Sequence, residues 1–266
     1  MDKLNTVKSE IYFVSAGPGD PELLTVKAYN ILKKSDTVFY AGSLINPKML
    51  EIFKNEVLLI DMKSLNFEEI KSKLEEALKL KENRVISILH AGDSSIYSSI
   101  NEQMTYLEEM GIDYKIIPGV TAAFAASAAN RSTLTLPNVS QTVIFCRGEG
   151  RTGKMSKGQD LKSLAKHHAT MAIYLSFGII ESVARDLLEH YSEETPCLIA
   201  KDVSLENELL IDCLLKDVVR TAKEYSIKNM AVLIVGDALK GKYHEKNRSK
   251  LYDKSFSHSF RIKEGG

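Results

Sequence analysis

Four short segments hold the residues of this chain whose types and spacing could do chemistry. The first, Gly17-Pro18-Gly19-Asp20-Pro21, follows an apolar run and precedes a helical pattern. A dinucleotide-binding turn needs G-x-G-x-x-G, because the third glycine lets helix and strand approach closely. Here Glu22 stands at that position, and the next strand ends Phe39-Tyr40-Ala41-Gly42 with no acidic partner for a ribose, which disfavours nicotinamide binding. A tight turn accounts for the two glycines but not for Asp20 between two prolines. The second segment is His90-Ala91-Gly92-Asp93-Ser94-Ser95-Ile96-Tyr97, again after an apolar run. Its small-small-acidic turn would lie beyond the carboxyl end of a strand, where ligands of open α/β sheets gather; the alternative is an ordinary Asx turn. The third is Pro118-Gly119-Val120-Thr121.

The fourth, Gly148-Glu149-Gly150-Arg151-Thr152-Gly153-Lys154-Met155, matches the phosphate-binding pattern G-x-x-x-x-G-K. Met155 stands where a hydroxyl must ligate magnesium, and Ser156-Lys157-Gly158-Gln159-Asp160 breaks helix where a helix N-terminus should face the phosphates. A basic loop is the better reading, and a phosphate-loop nucleotidase is disfavoured. His167-His168 reads as a solvated pair, because adjacent residues of a helix face apart and no acidic or thiol partner is near. Neither a Gly-x-Ser-x-Gly elbow nor a His-Glu-x-x-His helix occurs. No metal site is expected.

The elements that would position these segments read as α/β. Ile11–Ala16, Thr37–Tyr40, Val57–Ile60, Val85–Leu89 and Tyr114–Ile117 are continuous apolar runs, as strands covered on both faces should be. Leu24, Ala28, Ile31 and Leu32 mark one helical stripe; Phe67, Ile70, Leu74, Ala77 and Leu78 mark another. Asp20 is placed to cap the first, with Pro21 at its first position. Thr121–Ala129 holds six alanines in nine residues, which suits a closely packed helix. Further strands follow at Val143–Cys146, Met171–Leu175, Cys197–Ala200 and Ala231–Val235, with helices at Ile180–His190 and Leu214–Tyr225. The expected division is a domain over 1–118, a second over 119–240, and a basic, poorly ordered tail over 241–266.

Composition excludes other classes. Thirty-five basic and 35 acidic side chains cancel, so the footprint of a nucleic-acid binder is missing. Three scattered cysteines make neither a disulfide framework nor a thiolate zinc site and suit a reducing compartment. No run approaches the length of a membrane span and Met1–Glu10 lacks an apolar leader core, so a cytoplasmic location is expected.

In their order, these segments resemble the tetrapyrrole methylases, over about Ile11 to Leu239. The resemblance rests on the Gly17–Pro21 loop, Tyr40 closing the second strand, Gly92-Asp93 through Tyr97, and Pro118–Thr121. Within the family, Tyr40-Ala41-Gly42-Ser43-Leu44 resembles the members that methylate C-11 of precorrin-4 or cobalt-precorrin-4. Uroporphyrinogen methylases carry an acidic–arginine pair in place of Ala41-Gly42. Leu134–Pro137, Ser140–Thr142, Gly150–Thr152 and Ala169–Ile173 point to the same subgroup. The chain departs from the family at Ser94, where proline is usual, and at Val203–Asn207 and Asp212–Leu214.

The resemblance implies two α/β domains with the active site in the cleft between them, S-adenosylmethionine as cofactor, a tetrapyrrole substrate and a homodimer. It implies cofactor contacts at Pro18, Ala91, Gly92, Asp93, Ile96, Tyr97, Thr121, Ala122, Leu175 and Ala231. Substrate contacts are expected at Asp20, Ser43, Arg147 and Arg151; the arginines, with Lys154 and Lys157, would meet the carboxylate arms of a precorrin. Methyl transfer from a sulfonium needs alignment more than acid–base help, so no catalytic side chain is assigned. Another precorrin ring methylase, or a non-catalytic tetrapyrrole-binding homologue, is the alternative.

Overall fold

The apolar run after Glu10 forms β1 (Glu10–Ser15), buried from Ile11 onward. The computed structural model describes residues 9–53, 56–80, 84–150, 153–243, 251, 255–257 and 259–261. β1 is joined by β2 (Thr37–Tyr40), β3 (Leu58–Asp61), β4 (Val85–His90) and β5 (Tyr114–Ile117) in one sheet of order β3-β2-β4-β1-β5. Every neighbouring pair is parallel, in keeping with the continuous apolar runs. Alternate residues of β1 go to opposite faces. Tyr12, Val14 and Ala16 pack with Leu32 of α1 (Val26–Leu32) and with Met49. Ile11 and Phe13 pack with Leu74 of α2 (Phe67–Lys79) and Leu107 of α3 (Ile100–Glu109). Phe13 has no exposed surface, so truncating it to alanine costs about 3–5 kcal/mol.

Asp20 does cap, but a shorter element than expected. Its carboxylate accepts the Glu22 N–H at 2.9 Å and opens a single 3-10 turn, Pro21–Leu23. α1 starts separately, where the Thr25 hydroxyl accepts the Ala28 N–H at 3.1 Å. α2 has a reciprocal cap the stripe did not reveal: Asn66 accepts from the Glu69 N–H and the Glu69 carboxylate accepts from the Asn66 N–H.

α4 (Ala122–Ala129) follows β5, and a second sheet is built from β6 (Val143–Arg147), β7 (Thr170–Tyr174), β8 (Pro196–Lys201), β9 (Leu209–Leu214) and β10 (Ala231–Val235). Its order is β6-β7-β10-β8-β9. Only β6 and β7 run parallel; β10 is antiparallel to both β7 and β8, and β8 to β9. α5 (Leu161–Ala165), α6 (Ile180–Leu188) and α7 (Val218–Glu224) accompany it. Leu161, Val183, Leu187, Val218 and Ala222 from these helices bury against Met171, Ile173, Ile199 and Leu233.

The helix expected over Leu214–Tyr225 is present to within a residue, as a 3-10 turn Leu215–Asp217 running into α7. The strand β9 that precedes it is an addition to the expected elements. Leu209–Leu214 pairs with β8 from Pro196↔Leu214 to Lys201↔Leu209, and helical backbone begins only at Leu215. β9 is an edge strand with no fully buried residue, so its sequence shows neither a long apolar run nor strict alternation.

The chain divides into two compact units, 1–125 together with 204–206, and 126–203 together with 207–266. The division falls inside α4, a few residues past the expected 118/119 boundary, and the short segment Ser204–Glu206 belongs with the first unit. Much of the expected tail lies outside the described residues; within it the Arg261 guanidinium donates to the carbonyls of Leu251 and Phe256. Among the described residues no helix is long and apolar enough to cross a membrane.

Candidate active site

In the first unit the loops that leave β1, β4 and β5 at their carboxyl ends are locked to one another. Gly17 and Gly92 exchange backbone hydrogen bonds, Gly17 N–H to Gly92 O at 3.0 Å and Gly92 N–H to Gly17 O at 2.7 Å. Ser15, at the end of β1, accepts the Ser94 N–H at 2.9 Å and donates to the Ser94 hydroxyl at 3.0 Å. Gly119, after β5, packs so closely that a Cβ there would stand 2.6 Å from Ser15 Cβ and 2.7 Å from Gly92 O. Glycine is required at Gly92 for a different reason: its φ is +68°, and nothing lies within 4 Å of where a Cβ would be.

Asp93 is the centre of this lock. Its Oδ1 accepts from the Ser95 N–H at 2.9 Å and from the Ser95 hydroxyl, and its Oδ2 accepts the Gly119 N–H at 2.8 Å. Burial alone would raise its pKa, but these hydrogen bonds outweigh it and hold the carboxyl below the ordinary range. The Asx-turn reading of this segment therefore holds as far as geometry goes. Three donors use three of about four lone-pair sites, which leaves Oδ2 one acceptor site for a ligand.

The other expected residues of this unit lie around the same strand ends. Pro18 and Asp20 follow Gly17; Ala91 and Ile96 flank the Asp93 turn, with Ile96 N–H on Asp93 O at 3.1 Å. Tyr97 has φ +53° and is 42% exposed, an uncommon backbone for a bulky side chain. Thr121 is buried, and its carbonyl accepts the Phe124 and Ala125 N–H groups at the start of α4, beside Ala122. Ser43 is exposed in the turn after β2, a turn tied to the Gly17–Asp20 loop through Asn46 Nδ2, which donates to Gly19 O at 2.9 Å. Ser204 Oγ accepts the Asp20 N–H at 2.9 Å.

In the second unit Arg147, Leu175 and Ala231 share one end of the sheet. Arg147 closes β6 in register with Tyr174, and Leu175 follows it at the end of β7. β10 runs the other way: Leu233 faces Ile173, and continuing that register sets Ala231 opposite Leu175. Leu175 has φ +53° and is 75% exposed, a strained and solvent-facing position for a leucine. The basic loop starts anchored, with the Gly148 N–H on Ser176 Oγ at 2.7 Å and a Cβ on Gly148 only 2.8 Å from Ile179 Cδ1. Lys154 and Lys157 are exposed, while Arg151 lies outside the described residues. No helix starts at Lys154; α5 begins at Leu161, capped by Asp160, so the lysine is not at a phosphate-binding helix end.

Three features here were not singled out from the sequence. His90 closes β4 with its imidazole Nδ1 2.9 Å from Ser98 Oγ, its Nε2 buried without a partner, and its pKa pushed down to about 4 by burial. The other two are the Ser15–Ser94 pair and Asp61, which holds the turn carrying Ser43. The last two depend on pairing between strands that are separate in sequence. Among the described residues no group of three or more His, Cys, Asp or Glu could hold a metal ion.

Comparison with known proteins places the chain in a family. A cobalt-precorrin-4 C(11)-methyltransferase of Methanocaldococcus jannaschii is 43% identical over 95% of this chain and 96% of its own length. The protein of that name from Priestia megaterium is 35% identical over 95% of this chain and 97% of its own. Among solved structures, a cobalt precorrin-4 methyltransferase described as a cobalamin biosynthetic enzyme superposes with TM-score 0.83 at 33% identity, covering 86% of this chain and 95% of that one. A uroporphyrin-III C-methyl transferase of Thermus thermophilus, complexed with S-adenosyl homocysteine, shares the fold: TM-score 0.72 at 24% identity, over 87% of this chain and 99% of that one. The family described as Tetrapyrrole (Corrin/Porphyrin) Methylases matches residues 10–219, and the chain belongs to it.

Proposed function

We infer that this chain is an S-adenosylmethionine-dependent methyltransferase acting on C-11 of cobalt-precorrin-4, or of precorrin-4, in cobalamin biosynthesis. The observation that carries this reading is 43% identity, across 95% of the chain, to a protein named for that reaction. The site residues fit the cofactor. The backbone at Gly92 is open on the side a Cβ would occupy, and the neighbouring carboxylate is held ionised with one acceptor site left, suited to a hydroxyl or ammonium donor. Ala91, Gly92, Asp93, Ile96 and Tyr97 would hold it from the loop after β4, Pro18 from the loop after β1, Thr121 and Ala122 from the start of α4, and Leu175 and Ala231 from the second sheet. When bound, S-adenosylmethionine supplies a methyl group on a sulfonium centre.

The chain's own contribution is alignment, which is worth several kcal/mol when both reactants are held in line. Asp20 and Ser43 would face the macrocycle. Arg147 and Arg151 would pair with its acetate and propionate arms, guanidinium being better suited than ammonium to a bidentate carboxylate contact. We further propose that the protein works in the cytoplasm, in keeping with three free thiols, and as a homodimer of twice 29.7 kDa, which light scattering can measure.

The test is a single-turnover incubation with methyl-labelled S-adenosylmethionine and either cobalt-precorrin-4 or metal-free precorrin-4. Label at C-11 of one or both substrates is expected. Tight binding of S-adenosylhomocysteine without label in either would make the protein a non-catalytic homologue instead.

A further inference from the structure

The turn that carries Ser43 is held from the neighbouring strand. β2 and β3 are parallel with Tyr40 in register with Asp61, and the Met62 N–H closes the pair on Tyr40 O at 2.7 Å. From Tyr40 the chain turns at once, with the Leu44 and Ile45 N–H groups both on Ala41 O at 2.9 and 3.1 Å. Asp61 Oδ1 accepts the Gly42 N–H at 2.9 Å and the Lys63 N–H at 2.9 Å, while the Lys63 ammonium lies 3.2 Å from Oδ2. These donors hold the Asp61 carboxyl below its ordinary range.

Gly42 does not adopt a positive φ, so its backbone conformation does not demand glycine. The space does. A Cβ on Gly42 would stand 2.4 Å from Asp61 Oδ2 and 2.9 Å from its Cγ, and all three of its nearest atoms belong to that one carboxylate. A side chain at position 42 must therefore either swing the Asp61 carboxylate aside, breaking its hydrogen bonds to Gly42 and Lys63, or push the turn off the end of β3; in both cases the tie that places Ser43 is lost. At its far side the turn is tied to Gly19 by Asn46, so Ser43 sits between two anchors.

We propose that Asp61 is the positioning residue of the substrate turn: it draws Gly42 against the end of β3, excludes any side chain there, and so sets where Ser43 meets the methyl acceptor. This rests on the reading of Ser43 as a substrate contact. Among the described residues, the Asp61 carboxylate accepts hydrogen bonds from or pairs with Gly42 and Lys63 alone.

The experiment compares wild type, Gly42→Ala, Asp61→Ala, the double variant and Asp61→Asn. For each it measures unfolding temperature, S-adenosylhomocysteine affinity by calorimetry, and kcat/KM for the precorrin acceptor. Gly42→Ala should lower kcat/KM about 10- to 100-fold, the scale of a misplacement near 1 Å, with cofactor-product affinity unchanged. In the Asp61→Ala background the same methyl should cost less than about twofold, because the carboxylate it collides with is gone. Asp61→Asn keeps an acceptor for Gly42 and the same bulk, so it should stay near wild type, and Gly42→Ala should remain costly in it. Equal costs of Gly42→Ala with and without the carboxylate overturn the proposal, as does a loss of cofactor-product affinity that parallels the loss in kcat/KM. No turnover in wild type, with the unfolding temperatures still non-additive, overturns the methyltransferase reading itself and the positioning role with it.

Discussion

Gly119→Ala is the sharpest perturbation of the lock between the strand ends. The added methyl would lie 2.6 Å from Ser15 Cβ, 2.7 Å from Gly92 O and 3.2 Å from Ser15 O. None of these can swing aside: two are backbone oxygens, and the Ser15 side chain is held by both hydrogen-bonding groups of Ser94. The exit of β5 must move instead, which stretches the 2.8 Å bond from Gly119 N–H to Asp93 Oδ2. Overpacking costs about 1–3 kcal/mol, and a lost hydrogen bond to a charged group about 1.5–3 kcal/mol. Together they destabilise by roughly 3–6 kcal/mol, or at least about 6 °C in unfolding temperature for a chain of this size. With Asp93 Oδ2 no longer fixed, S-adenosylhomocysteine should bind at least about tenfold more weakly. Thermal denaturation followed by circular dichroism and titration calorimetry measure the two effects. An unfolding temperature within about 1 °C of wild type, with unchanged affinity, would refute the claim that the exits of β1, β4 and β5 are mutually locked.

His90 is neutral in the folded protein down to about pH 4, whereas in the unfolded chain it protonates near 6.5. Above pH 6.5 it has no effect, and as pH falls from 6.5 to 4 only the unfolded state takes the proton, so the folded protein should lose about 3 kcal/mol across that window. Denaturant titrations of His90→Phe should lack that slope; an identical slope would show that His90 does not carry it. Leu175→Gly should relieve a left-handed backbone and leave stability equal or raised by about 1 kcal/mol, yet weaken S-adenosylhomocysteine binding. A parallel fall in both would mean the side chain is structural. Arg147→Ala and Arg151→Ala should each reduce kcat/KM for the precorrin by about tenfold or more and flatten its salt dependence, with cofactor-product affinity unchanged. Wild-type kinetics in both would place the carboxylate arms elsewhere.

What could be read from the sequence was whatever depends on a local run of residues. The limits of the five strands of the first sheet agree with the structure to within a residue. The central strands β1, β2 and β4 are apolar because both faces are covered, whereas the edge strands β3 and β5 leave Leu58, Leu59 and Ile116 exposed. Asp20 was legible as a cap because capping is a contact over two residues, but the length of the element it opens was not, since Thr25 starts α1 afresh. β9 escaped notice because an edge strand buries too little to impose a pattern. Within the candidate site, Gly92 and Asp93 stood out by type and place. The reasons for Gly42 and Gly119 did not, because each is imposed by a residue far along the chain, Asp61 in one case and Ser15 in the other.

The strand order also sets a timetable for synthesis. β1 is made first, yet both its partners come late: β4 ends at His90 and β5 at Ile117. At about 5–20 residues per second, the ribosome needs roughly 5–20 s to deliver β5 after β1 has formed. Until β4 arrives, about 27 residues before β5, Ile11, Phe13 and Val14, none more than 1% exposed in the finished protein, have no hydrogen-bonding neighbour in the sheet. β2 and β3 emerge sooner and can pair only with each other, because β2's remaining neighbour is β4. The arrival of β4 therefore joins two halves at once, β1 on one side and the β2–β3 ribbon on the other. Nascent chains stalled before residue 85 should expose their most apolar strand to holdase chaperones, and chains stalled beyond β5 should not.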